Sequence, residues 1–276
     1  MKFKIDIRKS VSENAEFYYK ESKKAKHKAE GAKKALKDTR EKIDKLKRER
    51  EVSVVEHVPY KKKIKTKKWY EKFHWFYSSD NFLVVGGKDA TTNEILIKKY
   101  LEKHDMVFHA DIHGAPFFVI KNPDRKEIPE DTLREAADAA ASYSKAWKLG
   151  LGGCDVYYVS SEQVSKKAPS GEYLGKGAFM IHGKKRWFRN TKLEIGIGFR
   201  IDDEVEVIGG PVSSVEANSD YSVKIVPGGK KSGELAKEIK ELIMKKSKNE
   251  YAEKIKKIRL EEIQKRIPGG KGRILG

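Results

Sequence analysis

Between Ser12 and Arg50 the chain has no proline and one glycine, and its small and apolar side chains recur at alternating steps of three and four. Ala15, Tyr18, Ser22, Ala25, Ala29, Ala32, Leu36, Thr39, Ile43 and Leu46 trace the a and d positions of a heptad repeat. That spacing commits the stretch to a long helix with one seam turned toward a partner. A compact globule has no room for such an element, so the chain must divide into an extended arm and something else. The middle of the seam is alanine and serine, which lets a second helix approach closely but buries little area. A homodimer mate would be held weakly, and the expected partner is a covalently linked or otherwise obligatory coiled-coil helix.

The arm is also basic. From Arg8 to Lys68 there are 22 Lys and Arg against 10 Asp and Glu, so this segment carries +12 of the net +19. Two readings stay open: a solvated coiled-coil face, or a rod that lies along phosphates. Short strands are expected before the helix at Phe3, Ile5 and Ile7 and after it at Val52 to Val58, with Lys61 to Lys68 as a basic connector. Residues 1–66 therefore form the first domain.

The totals agree with that division. Only 38% of the 276 residues are hydrophobic and 37% are charged, too polar for a single globule. The positive excess points to a polyanion, nucleic acid or an anionic membrane. The membrane is the weaker fit: no apolar run approaches the roughly 18 residues that span a bilayer, and the small seam is too narrow to insert. No signal-peptide pattern opens the chain. The single cysteine, Cys154, excludes an intramolecular disulfide and a cysteine-rich zinc site. The expectation is a cytoplasmic protein with no membrane association and no cofactor.

The second domain is expected over 67–228. Lys67 to Asn93 reads as an aromatic strand, a polar turn at Ser78 to Asn81, a strand at Phe82 to Val85, and a Gly86-Gly87 pair before a helix starting near Thr92 or Asn93. Backbone amides at that pair, with Lys88 beside them, could hold a phosphate, or the glycines could simply make the turn. Met106 to Ile112 alternates, which puts Met106, Phe108, Ala110 and Ile112 on a core face and Val107, His109, Asp111 and His113 on the other. Those last polar residues have strand spacing suited to metal ligands or to hydrogen bonding with RNA, and a fourth ligand is not identifiable. Phe117 to Ile120 is a buried partner strand.

Ile128 to Asp131 opens a helix whose stripe is Leu133, Ala136, Ala137, Ala140, Tyr143, Ser144 and Trp147, closed at Gly150. Cys154 to Val159, Ala178 to Ile181, Leu193 to Ile201, Glu204 to Ile208 and Tyr221 to Val226 read as strands. From Gln163 to Phe188, Lys166, Lys167, Lys176, Lys184, Lys185 and Arg186 interleave with Tyr173, Phe179 and Trp187. Cations beside planar rings make an RNA surface, unless the rings are core and the lysines merely solvate the loops. The fold class is α+β, a mixed or antiparallel sheet with packed helices. Residues 229–276 are expected as a basic helical extension that ends in a flexible tail at Pro268 to Arg273.

Three long motifs carry a resemblance. W-Y-E-K-F-H-W-F-Y-S-S-D-N-F-L-V-V-G-G-K-D-A-T-T-N-E, H-A-D-I-H-G-A-P and V-S-K-K-A-P-S-G-E-Y-L-G-K-G-A-F-M-I-H-G-K-K occur in that order. They resemble the RNA-binding NFACT-R domain of the NFACT family of ribosome-associated quality-control factors, in a form closest to archaeal and eukaryotic members. The preceding helix is similar to the returning helix of that family's coiled-coil arm. The resemblance implies binding to tRNA and to large ribosomal subunits obstructed by peptidyl-tRNA, through their rRNA. In the full-length family this supports C-terminal tailing of the stalled chain.

The peptide transfer in that process belongs to the ribosome, so the expected role is recruitment and the chain is not expected to be an enzyme. The family's amino-terminal domain, helix-hairpin-helix domain and outgoing coiled-coil helix have no counterpart here, which implies a C-terminal fragment or a short member. The alternatives are an RNA-processing or RNA-modifying metalloenzyme, or a stand-alone nucleic-acid-binding protein. The residues expected at nucleic acid are Lys88, His109, Asp111, His113, Lys166, Lys167, Tyr173, Lys176, Lys184, Lys185 and Arg186.

Overall fold

The computed structural model describes residues 5–52, 68–166 and 174–275, apart from the side chains of 42, 43 and 45–52. The chain divides into two compact units, Met1–Lys65 and Thr66–Gly276.

The first unit is built on one helix, α1 (Val11–Val52). Its start is fixed by Ser10 and Glu13. The Glu13 carboxylate accepts from the Ser10 N–H at 2.7 Å and hydroxyl at 2.8 Å, and Ser10 Oγ accepts from Glu13 N at 3.2 Å. This reciprocal pair satisfies the first free amides of the helix. Asn14 Nδ2 also gathers the carbonyls of Asp6, Lys9 and Ser10. Ile5 and Ile7, expected in a strand, therefore lie in the turn that these cap bonds hold. Phe3 and the strand expected at 53–58 fall outside the described residues. Every described seam side chain is exposed, with Tyr18 at 38% and Leu36 at 60%.

In the second unit a 3-10 turn at Trp69–Lys72 leads into the hairpin β1 (His74–Tyr77) and β2 (Leu83–Gly86). Helix α2 (Ala90–Ile95) follows and continues as a π turn through Tyr100. It starts earlier than the sequence suggested. Asp89 is the cap, accepting from Thr92 N at 2.7 Å, while Thr92 Oγ1 takes the N–H groups of Lys88 and Asp89. Strands β3 (Met106–Ala110) and β4 (Phe117–Ile120) precede helices α3 (Glu130–Ser142) and α4 (Lys145–Leu149). The single helix expected here is two, because Ser144 Oγ accepts from Ala146 N at 3.1 Å and opens α4. Gly150, at φ +69°, closes it.

The chain goes on through β5 (Gly153–Ser160), β6 (Val164–Ser165), β7 (Met180–Ile181), β8 (Arg186–Lys192), β9 (Ile195–Ile201) and β10 (Val205–Gly210). Next come α5 (Val212–Asn218), β11 (Tyr221–Lys231), α6 (Ser232–Lys246), α7 (Asn249–Lys256), α8 (Leu260–Gln264) and β12 (Lys271–Leu275). The strands form a six-stranded sheet ordered β1-β2-β4-β3-β5-β8, a four-stranded sheet ordered β10-β9-β11-β12, and the small β6-β7 ribbon. All pairings are antiparallel.

Both faces of the six-stranded sheet are covered. Val84, Phe108, Phe118, Ile120 and Val156 point into the main core, which they share with the alanines of α3, with β9 and β11, and with α6. Their alternates Val85, Val107, Phe117, Val119 and Tyr157 enter a smaller core under the 3-10 turn and the π turn. This explains the unbroken apolar run of β4, whose four residues are all buried. It also corrects the expectation of one open polar face on β3. Residues 229–276 belong to the main core as well: Leu235, Ile239, Ile243, Ile255 and Ile263 are fully buried in it. The tail expected to be flexible is β12, paired with β11 from Lys224↔Leu275 to Lys231↔Lys271. Trp147 Nε1 donates to Lys271 O at 3.0 Å, and Gly272 lies where an added Cβ would come within 2.9 Å of Leu235.

Candidate nucleic-acid interface

One edge of the six-stranded sheet is β8, which among the described strands pairs with β5 alone. Their register sets Trp187 opposite Tyr157 and Arg186 opposite Tyr158. On the smaller-core side the two rings meet edge to face at 5.4 Å. Lys185 Nζ sits 4.1 Å over the Tyr157 ring, and the Arg189 guanidinium 4.2 Å over Trp187. Arg189 is also held by Asp155 at 2.5 Å, and Asp155 accepts from Asn190 N at 2.8 Å. These two bonds hold the Asp155 carboxyl below its ordinary range, the Asn190 amide contributing most. On the main-core side Arg134 lies 5.7 Å over Phe188 and Arg186 6.0 Å over Tyr158.

Cations on ring faces gain the quadrupole attraction and lose side-chain freedom in advance. Lys184, Lys185 and Arg186 are exposed, and among the described residues none has an acidic partner within ion-pair distance. Tyr157 itself is only 7% exposed, and its hydroxyl is pushed up to about 12, chiefly by burial. Tyr157 therefore seats a cation and does not offer an open face to a base. Chemically, exposed cations held in this way suit phosphates, contacts that position a nucleic acid without reading its sequence.

A second basic group lies at the Gly86–Gly87 turn. The amides there are already used. Gly87 N donates to Phe117 O at 3.0 Å, and Lys88 N to Thr92. The glycines are required for packing: a Cβ on Gly86 would strike the Phe118 ring at 2.3 Å, and one on Gly87 would meet Asn93 Oδ1 at 1.9 Å. Of the two readings of this pair, the glycines serve the turn and its packing, while the Lys88 side chain is exposed. Its amine is lowered from its ordinary range by desolvation first, then by Arg266 and Lys265. Arg266 lies 5.0 Å over Trp75, next to His74, which pairs with Gly86 across β1 and β2. Burial first, then Lys88 and Arg266, push His74 down to about 3.

Other expected residues have different roles. Lys166 is a strut: its Nζ meets Glu94 Oε2 at 3.0 Å and the carbonyls of Gly175 and Ala178 at 2.9 Å each. Glu94 also takes Lys98 at 2.6 Å and Gly177 N at 2.7 Å. It is held down to about 2, with Lys98 the largest cause. Lys166 is therefore spent inside the fold, and it braces the loop on which Lys176 stays exposed. Lys167 and Tyr173 lie outside the described residues.

His109, Asp111 and His113 do not share a face, because β3 ends at Ala110 and the chain turns through Gly114 at φ +73°. His109 is packed against Phe117 at 4.5 Å and Tyr157 at 5.6 Å. Burial lowers it to about 4, and among the described residues its buried Nδ1 has no hydrogen-bond partner. Asp111 and His113 are exposed in the turn. Among the described residues no three His, Cys, Asp or Glu side chains converge as metal ligands would.

The sequence reading left out Tyr157 and Arg189 and did not commit to Trp187. The signal for them is the pairing of β5 with β8, a register set between distant segments.

A family model described as the NFACT protein RNA binding domain matches residues 72–183. The archaeal Rqc2 homolog aRqcH of Methanocaldococcus jannaschii is 50% identical over 184 residues, 66% of this chain and 27% of that protein. The ribosome quality control complex subunit NEMF of Homo sapiens is 42% identical over 190 residues, 67% of this chain and 17% of that protein. The ribosome quality control complex subunit 2 of Schizosaccharomyces pombe is 37% identical over 195 residues, 70% of this chain and 18% of that protein. The chain thus spans 17% to 27% of the length of these relatives.

Proposed function

The chain belongs to the NFACT family, and on that premise we propose that it is the RNA-gripping portion of a ribosome-associated quality-control factor. It binds large ribosomal subunits that still carry peptidyl-tRNA, touching both tRNA and rRNA through phosphates, in the cytoplasm. It makes and breaks no bond itself. The arm α1 joins a second coiled-coil helix, which covers the exposed seam of small residues.

The observation that carries the reading is the row of exposed cations held on ring faces at β8 and just before it, Lys185 and Arg186 without a described acidic partner and Arg189 tied to Asp155, immediately after a segment matched by an RNA-binding family model. A chain of net +19 that contacts several phosphates loses affinity steeply with salt, roughly 0.7–0.9 in log–log slope for each one neutralised. Binding of labelled tRNA and of isolated large subunits is measured across a salt series. A slope of several is expected, with the RNA recovered intact. A flat profile, or RNA cleaved or modified by the pure chain, refutes the proposal.

A further inference from the structure

The β1–β2 turn, the end of the π turn and the chain after β4 enclose a cavity of about 530 Å³, within the range of ligand sites. We propose that it docks an arginine-bearing, extended segment of a basic partner protein, which is a site beyond the RNA-binding reading and independent of it.

Its apolar walls are aromatic: Trp69, Tyr77 and Phe82 line it. Trp69 is stacked on Tyr100 at 4.2 Å with 12° between the planes and remains 36% exposed. Its indole N–H donates to no described group.

The rim is acidic. Asp80, Glu102 and Asp124 line the cavity, and the two lysines beside them are already neutralised. Lys121, 9% exposed, is shared between Asp105 at 2.5 Å and Glu102 at 2.9 Å, and Lys126 meets Asp124 at 3.1 Å. Lys72 touches Tyr100 but is not among the lining residues. Among the lining residues three carboxylates stand against two lysines, an excess of one acid on a chain of net +19.

That local reversal of sign selects the occupant. A phosphodiester meets carboxylates and is repelled. A guanidinium lies flat on an indole or phenol face and bonds to a carboxylate at its edge, a combination that an ammonium matches less well.

The test uses the full chain and a fluorescein-labelled arginine–glycine repeat peptide, with a glutamine–glycine repeat as control, read by anisotropy. Saturable binding of the arginine peptide alone is expected. The double substitution Glu102→Gln with Asp124→Asn, at side chains 63% and 67% exposed, should weaken it about tenfold, and Trp69→Leu should do the same. Circular dichroism confirms folding of each variant, and the acid pair decides the matter if Trp69→Leu unfolds. In a separate titration tRNA affinity should not fall in the acid-pair variant. No peptide binding, equal binding by the variant, or a loss of tRNA affinity that marks the cavity as a nucleobase site would each overturn the proposal.

Discussion

At the scale of single residues, the arrangement at β8 separates two contributions that sequence cannot distinguish, the charge and the ring that holds it. Arg189→Ala removes one cation and should lower the salt slope of tRNA binding by about one. Trp187→Leu removes no charge, yet it frees Arg189 and should weaken binding with the slope nearly unchanged. Filter binding of both variants across a salt series checks the pair; a slope lowered by about one in Trp187→Leu would show that Arg189 loses its phosphate contact altogether without the ring. Two histidines give the fold a pH dependence. His74 and His109 are lowered from 6.5 to about 3 and about 4, with burial the main cause in each. Both stay neutral when folded and gain a proton on unfolding. Their stability contribution is complete above pH 6.5 and is lost as pH falls toward those values, at about 1.4 kcal/mol per pH unit for each proton. Urea unfolding between pH 6.5 and 4 should show that decline. His74→Phe, which keeps the contacts with Tyr143 and Phe118, should remove about half of it.

At the scale of elements, what was legible depended on whether a signal is local. The alternation of β3, the turn at Ser78 to Asn81 and the alanine stripe of α3 all follow from neighbours along the chain, and each was readable. The face of β3 was not. Whether the residues opposite a core face meet solvent depends on a second layer, here the turns around Trp69 and Leu96, that comes from elsewhere in the sequence. Strand β12 was hidden for a related reason. Its Pro-Gly-Gly-Lys-Gly opening has the composition of a loop, and only pairing with β11 makes a strand of it. Gly272→Val tests that placement, because the new side chain would press on Leu235 and Val226 O. Overpacking of this kind costs about 1–3 kcal/mol, so the thermal midpoint should fall. A free tail would tolerate the change, and an unaltered midpoint would count against the pairing. Of the candidate site, composition pointed to Lys184, Lys185 and Arg186, which are exposed, while nothing local shows that Glu94 lies within 3.0 Å of Lys166.

At the scale of the whole molecule, the two units differ in what keeps them folded. The helix α1 has no buried described side chain beyond the half-covered Asn14, so its persistence depends on backbone bonding, its cap and whatever helix it meets. The sheets and helices of Thr66–Gly276 share continuous cores. Removing residues 1–65 should leave the unfolding midpoint of the remainder unchanged by calorimetry; a shift of several degrees would show that the arm supports it. The seating of β12 makes the two ends of the chain unequal. Limited digestion with trypsin, for which lysines and arginines abound at both ends, should pare the molecule from one side only. The arm before residue 66 would shorten by stages, while the final strand, stitched into a four-stranded sheet, outlasts residues more than two hundred positions before it.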